Sequence, residues 1–167
     1  MVYRKGDNGQ AVDPAGVTPC GEARPTSEPV LEMSFEVGHY DFAAAGEAAS
    51  RIKQVLTKLG MAPNVVRRVA VAAYEAEMNL VIHSVGGNIL LNVDTEKVTI
   101  VACDEGPGMP DVGLAMREGY STASDEIREM GFGAGMGLPN MKKCSDSFSI
   151  ESEVGRGTTV TAAIRIA

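Results

Sequence analysis

The sequence predicts an α+β protein in two layers, a mixed, mostly antiparallel sheet with helices on one face. Three observations carry that expectation. Residues 31–37, LEMSFEV, alternate apolar and polar side chains as a half-buried strand does. Apolar residues recur at helical spacing between 42 and 83. The later strand candidates come in two pairs joined by short turns, which favours antiparallel pairing with the helices segregated to one side.

Taken in order, residues 1–30 are rich in Gly, Pro, Asp and Thr with few large apolar groups. Such a segment buries too little surface to offset its ordering entropy, so a flexible tail is expected there. Residues 31–167 are expected to form one domain, as a chain of 167 residues allows. After the first strand, FAAAGEAASRIKQVLTKLG places Ile52, Val55, Leu56 and Leu59 at helical spacing, with Gly60 as the stop. Pro63 opens a second helix at its preferred early position, running to about His83. VGG breaks it. NILLNVD and KVTIVACD then read as strands joined by the turn TEK. A short helix is expected through DVGLAMRE, and 118–132 reads as polar and irregular. GLPNMKKCSD forms a helix opened by glycine, and SFSIES, VGRG and TTVTAAIRI close the chain as a hairpin.

Composition narrows the class of function. Hydrophobic residues make up 44% of the chain and aromatics 5%, with no Trp, so the core is mostly aliphatic. A net charge of −7 argues against nucleic acid as a partner, because phosphate backbones need a basic face. No apolar run approaches the ~18 residues of a membrane span, and MVYRKGDNGQ is not followed by the apolar segment of a secretory signal. The expectation is a cytoplasmic protein with no membrane partner. Cys20, Cys103 and Cys144 are far apart and read as reduced thiols; with only His39 and His83 beside them, no metal-ligand spacing appears.

Three stretches could carry chemistry. Glu75 and Asn79 are four apart and share a helix face, with His83 next along the same line. Val69, Ala72, Ala73, Ala76 and Leu80 supply the buried side, and from the helix alone the polar stripe is as readily a solvated face. Glu77 falls on another face and reads as surface. Asp104 ends the almost wholly apolar VTIVAC, where a carboxylate loses solvation and needs a partner. Glu105-Gly106-Pro107-Gly108 forces a tight turn that lets backbone approach something flat, or is an ordinary turn. GFGAGMGL lacks the Lys-Ser/Thr ending of a P-loop, and its glycines do not fit the dinucleotide spacing. What it offers is bare amides running into a helix N-terminus, where the partial positive charge favours phosphate; a mobile linker is the bland alternative.

The combination is more specific than its parts. An E-x-x-x-N helix (Glu75, Asn79), D-x-G-x-G at a strand end (Asp104–Gly108), a glycine cluster opening a helix (Gly131–Gly137) and G-T-T near the end (Gly157–Thr159 within GRGTT) resemble the GHKL nucleotide-binding family. That family includes gyrase-type topoisomerases, the heat-shock chaperone ATPase domain, histidine kinases and anti-sigma-factor serine kinases. EAEMNLVIH and GLPNMKKCSDSFSIESEVGRGTTVTAAI are most similar to the stand-alone anti-sigma-factor and switch-type serine/threonine kinases. The resemblance covers roughly residues 31–167 and implies the Bergerat ATP-binding fold.

By that resemblance, the cofactors are ATP and Mg²⁺. Asp104 would accept from the adenine amino group, Gly106, Gly108 and Met109 would line the base, and Thr159 would support its edge. Asn79 would hold the metal. Gly131, Gly133, Gly135, Met136, Gly137 and Leu138 would surround the phosphates, and 111–132 would form a lid. Lys142, Lys143 or Arg117 would offset phosphate charge, or be helix-surface charges. Glu75 would be the catalytic general base. The implied activity is phosphorylation of a small anti-anti-sigma-like protein, with sequestration of a sigma factor as a further role and a homodimer through residues 31–60. Two alternatives stay open: an ATP-gated protein-binding switch without phosphoryl transfer, and a slow free ATPase. A pure binder would not need Glu75.

Overall fold

Side-chain alternation decides which side of each strand is dry, and the helices then cover that side. The computed structural model describes residues 2–5 and 29–167. In chain order the elements are β1 (Val2–Lys5), β2 (Leu31–Gly38), α1 (Glu47–Lys58), α2 (Pro63–His83), β3 (Gly86–Val93), β4 (Lys97–Asp104), α3 (Val112–Ala115), α4 (Asp125–Glu129), α5 (Gly137–Cys144), β5 (Ser147–Glu153) and β6 (Gly157–Arg165). The six strands form one sheet in the order β1-β5-β6-β4-β3-β2.

The α+β, two-layer expectation holds, and every neighbouring pair of strands is antiparallel, so the sheet is not mixed. The register puts Val98, Ile100 and Ala102 of β4 opposite Ile164, Ala162 and Val160 of β6, and Leu91 and Ile89 of β3 opposite Ile100 and Ala102. All of these are buried and belong to the core shared with the helices. From the helix layer, Ile52 and Leu56 of α1 and Val69, Ala72, Ala73 and Ala76 of α2 complete it. The alanines matter because small side chains let α2 lie close to the sheet. Removing a fully buried aliphatic such as Ile100 or Leu56 would cost about 2–5 kcal/mol by transfer and cavity terms. The opposite sheet face carries Thr161 between Val101 and Ser149, and Thr99 opposite Ala163. Cys103, also on that face, is disulfide-bonded, contrary to the reduced thiol expected, while Cys144 is free.

Three elements depart from the sequence expectation. Residues 2–5, assigned to the tail, add a strand to the edge of β5, with Val2 opposite Glu151 and Lys5 opposite Phe148. An open strand edge offers unpaired N–H and C=O groups to any extended segment, whatever its side chains. Residues 6–28 of the expected tail lie outside the described residues. Helix α1 begins at Glu47 rather than Phe42, because the chain is still turning through Gly46, whose φ is 93°. Within the stretch expected to be irregular, α4 forms behind Ser124, whose hydroxyl accepts the Ile127 N–H at 3.4 Å. Among the described residues, no helix is long and apolar enough to cross a membrane.

Candidate functional site

Helix α2 lays its polar stripe against α5 and the end of β4, so the half-buried Glu75 and Asn79 face a common space that the more exposed His83 also lines. A cavity of about 520 Å³ opens there, lined by these three, Asp104 and the glycine-rich 131–137 stretch. The volume falls within the roughly 300–1,000 Å³ of small-molecule sites.

The base of the cavity is set by the β4–β6 pair. Asp104 Oδ1 accepts the Gly106 N–H at 2.7 Å, closing the turn that follows the strand. Burial pushes the Asp104 carboxyl above its ordinary pKa, opposed by backbone hydrogen bonds from Gly106 and Thr158. The register matters for the threonine pair. Asp104 lies opposite Thr158, and Cys103 opposite Thr159. Because strand side chains alternate, Thr158 shares the cavity side with Asp104, and Thr158 lines the cavity while Thr159 does not. Thr158 Oγ1 is 2.8 Å from Ser152 Oγ, which in turn accepts the Met109 N–H at 2.7 Å.

The wall facing α2 is the start of α5. A Cβ on Gly137 would stand 3.2 Å from Glu75 Oε2 and 3.3 Å from Asn79 Oδ1, so the helix enters immediately above both. Asn140, in the first turn of α5, donates from Nδ2 to Glu75 Oε1 at 2.8 Å. The Asn79 amide nitrogen is buried with no hydrogen-bond partner among the described residues. Since the O and N ends of an amide are interchangeable by a flip, Asn79 has a polar end free for a ligand.

The 111–132 segment closes the remaining side. Gly119 donates its N–H to the Gly135 carbonyl at 2.9 Å, and Gly135, at φ 75°, packs so close to residues 119–120 that a Cβ would run into their backbone. Thr122 Oγ1 is 3.2 Å from His83 Nδ1. Phe132 stacks on Phe42 with ring centroids 5.4 Å apart, tying the glycine stretch to the loop before α1. Arg128, which adjoins that stretch, donates to the Ser121 carbonyl at 2.9 Å and stays within the segment.

Of the residues singled out from sequence, Glu75, Asn79, Asp104, Gly108, Met109, Gly131, Gly133, Gly135, Met136, Gly137 and Leu138 all line this one cavity. Gly106 and Thr159 do not; Gly106 sits beneath, serving the Asp104 turn. Neither Lys142, Lys143 nor Arg117 lines it, and Lys143 pairs with Glu118 at 2.7 Å. Glu77, expected at the surface, is only 3% exposed and accepts the N–H groups of Ala48 and Ala49. Asn140 and Thr158 line the cavity and were not among the sequence candidates. For Thr158 the period-2 pattern was a usable signal once the register was known; for Asn140 there was none.

A family model described as histidine kinase-, DNA gyrase B-, and HSP90-like ATPase matches residues 64–167. The chain is 30% identical over 127 residues to the serine/threonine-protein kinase RsbT of Bacillus subtilis, covering 74% of this chain and 87% of RsbT. It is 26% identical over 132 residues to the anti-sigma F factor of Geobacillus stearothermophilus, covering 73% and 87%. With the anti-sigma F factor of Thermoanaerobacter sp. it shares 34% identity over 94 residues, covering 53% of this chain and 62% of that protein. In fold it is similar to a chain of the SiaB-SiaC complex from Pseudomonas aeruginosa, with a TM-score of 0.55 and 12% identity over 79% of this chain and 88% of that one.

Proposed function

The chain belongs to the histidine kinase-, DNA gyrase B-, and HSP90-like ATPase family, and from that premise we propose that it is an ATP-dependent serine/threonine protein kinase of the anti-sigma-factor regulatory type. One observation carries the reading. Glu75 lines the same cavity as Asp104 and the glycine stretch, and its Oε2 accepts no hydrogen bond among the described residues. A carboxylate oxygen free in a nucleotide-sized cavity is what a proton acceptor needs.

The residues present suit a nucleotide. Asp104 accepts from the adenine amino group, and Thr158 rather than Thr159 stands beside it on the cavity side. The 131–137 backbone is bare where phosphates would approach, and α5 presents its N-terminus there. Asn79, which lines the cavity, would hold Mg²⁺ through its amide oxygen, since that ion takes oxygen donors and keeps several waters. When bound, Mg·ATP supplies the transferable γ-phosphoryl group and the charge neutralisation that its transfer requires. Glu75 Oε2 takes the proton from a serine or threonine hydroxyl of the partner as that oxygen bonds to phosphorus and the bond to the ADP oxygen breaks. The 111–132 segment keeps water away from the reacting atoms.

The partner is a small protein of the anti-anti-sigma kind, in which the added phosphate, about −1.5 to −2 in charge, changes its contacts. Sequestration of a sigma factor rests on the relatives named anti-sigma F factor. A homodimer through residues 31–60 is supported by the position of β2 at a sheet edge. The protein acts in the cytoplasm.

The test incubates the protein with γ-labelled ATP and candidate partners. Label retained on a partner serine or threonine supports the kinase; bound but unchanged ATP means a nucleotide-gated switch. Glu75→Ala is expected to bind Mg·ATP within about twofold of wild type and to lose transfer by 10²–10⁴-fold, the usual worth of a general base. Asp104→Asn is expected to weaken ATP binding about 100-fold by calorimetry, as when a buried acceptor is exchanged for a donor.

A further inference from the structure

Glu75 is held from an element far away in sequence, and that grip selects which of its two oxygens can work. Asn140 Nδ2 donates to Oε1 at 2.8 Å across 65 residues of chain. Oε2 sits beside Gly137, at the cavity that Glu75 lines. Among the described residues, Asn140 is the hydrogen-bond partner of Glu75, and no cation pairs with it. The charged and titratable groups around the pair are well separated in kind. His83, Asp104, Asp111 and Tyr120 share the main cavity. Lys53 and Arg67 line a second groove along α2 that also reaches Glu75, and Tyr74 lines both.

We infer that Asn140 is a positioning residue for the phosphoryl-transfer step: its neutral amide fixes the Glu75 carboxylate by Oε1 and leaves Oε2 as the proton acceptor. This rests on the reading of Glu75 as base. The physical advantage lies in the choice of donor. A lysine or arginine at 140 would stabilise the carboxylate so strongly that it would be a poor base. An apolar residue would let the side chain rotate and spread its oxygens over several orientations, and misplacement of about 1 Å can cost about 100-fold in rate. The amide orients without competing for the proton. Because Asn140 lies in the first turn of α5, directly after the glycine stretch, the same bond also makes the base sensitive to how phosphates seat that turn.

The test uses the full chain labelled with ¹³C at glutamate carboxyls, the Glu75 signal assigned by its loss in Glu75→Gln. Wild type, Asn140→Ala and Asn140→Asp are titrated with pH, and transfer of the labelled γ-phosphate from Mg·ATP to the partner serine or threonine is followed over the same range. Asn140→Asp places two carboxylates together, so the Glu75 midpoint is expected to rise by about one pH unit or more, and the acid limb of the rate profile to move with it. Asn140→Ala is expected to lower the rate about tenfold, in kcat, with ATP affinity changed less than threefold. A Glu75 midpoint that stays put in Asn140→Asp overturns the positioning role. A midpoint that moves while transfer stays at the wild-type rate at every pH overturns Glu75 as the base, and the inference falls with it.

Discussion

The Glu77 carboxylate of α2 accepts the backbone N–H of Ala49 at 3.0 Å, and its other oxygen accepts that of Ala48 at 3.2 Å. Helix α1 has no cap from its own flank, since Gly46 precedes it. The orphan donors of its first turn are therefore satisfied by a side chain 28 residues away, and the negative charge also suits the positive end of the α1 dipole. Glu77→Ala is expected to cost about 2 kcal/mol and to lower Tm by roughly 4–8 °C. Glu77→Gln should rescue little, because its NH₂ would face a backbone N–H. Thermal melts of both variants check this; an unchanged Tm in either would remove the capping role.

The threonine pair offers a sharper discrimination. Thr158 lines the cavity beside Asp104, and Thr159 lies on the other sheet face. Thr158→Val is expected to weaken ATP binding about tenfold, the worth of one hydrogen bond of about 1.4 kcal/mol. Thr159→Val should leave affinity within twofold. Calorimetry on the two proteins would reveal the reverse order if the nucleotide approached from the other side.

Gly137 is tight against both Glu75 Oε2 and Asn79 Oδ1. Its backbone is ordinary helix start, so Gly137→Ala adds no backbone strain and places a methyl against Glu75 Oε2 and Asn79 Oδ1. The expected result is at least tenfold slower phosphoryl transfer, about 1.4 kcal/mol in the barrier, with Tm held or slightly raised by the helix preference of Ala. A variant that transfers normally would show that the reacting atoms lie elsewhere.

His83 meets Thr122 of the 111–132 segment, and although the residue keeps solvent exposure, partial desolvation of its ring holds its pKa below the ordinary 6.5. The folded protein thus keeps the imidazole neutral where the unfolded chain would protonate it. Its contribution to stability is complete above pH 6.5 and declines as pH falls from there toward the depressed folded value. Urea midpoints measured from pH 8 down to 5 should fall in the wild type, and the slope should flatten in His83→Gln. An identical slope in the variant would place the titration on another group.

Local rules were enough for most of the fold and for the chemistry-bearing motifs. The period-2 pattern of 31–37, Pro63 at a helix start and the apolar run before Asp104 each follow from preferences acting over a few residues, and β2, α2 and β4 form where those preferences put them. The i, i+4 spacing likewise puts Glu75 and Asn79 on one side of α2 without reference to anything else. Docking decided the rest. Glu77 is one of several acids that a sequence leaves at the surface, until α1 packs against α2 and presents its bare N–H groups. Thr158 and Thr159 are equivalent until β6 takes its register on β4. Asn140 finds Glu75 only because α5 crosses α2. A strand at residues 2–5 needs the open edge of β5. Each of these depends on contacts between segments 28 to 149 residues apart, and no short-range propensity encodes such a contact: it arises only when buried surfaces bring the segments together.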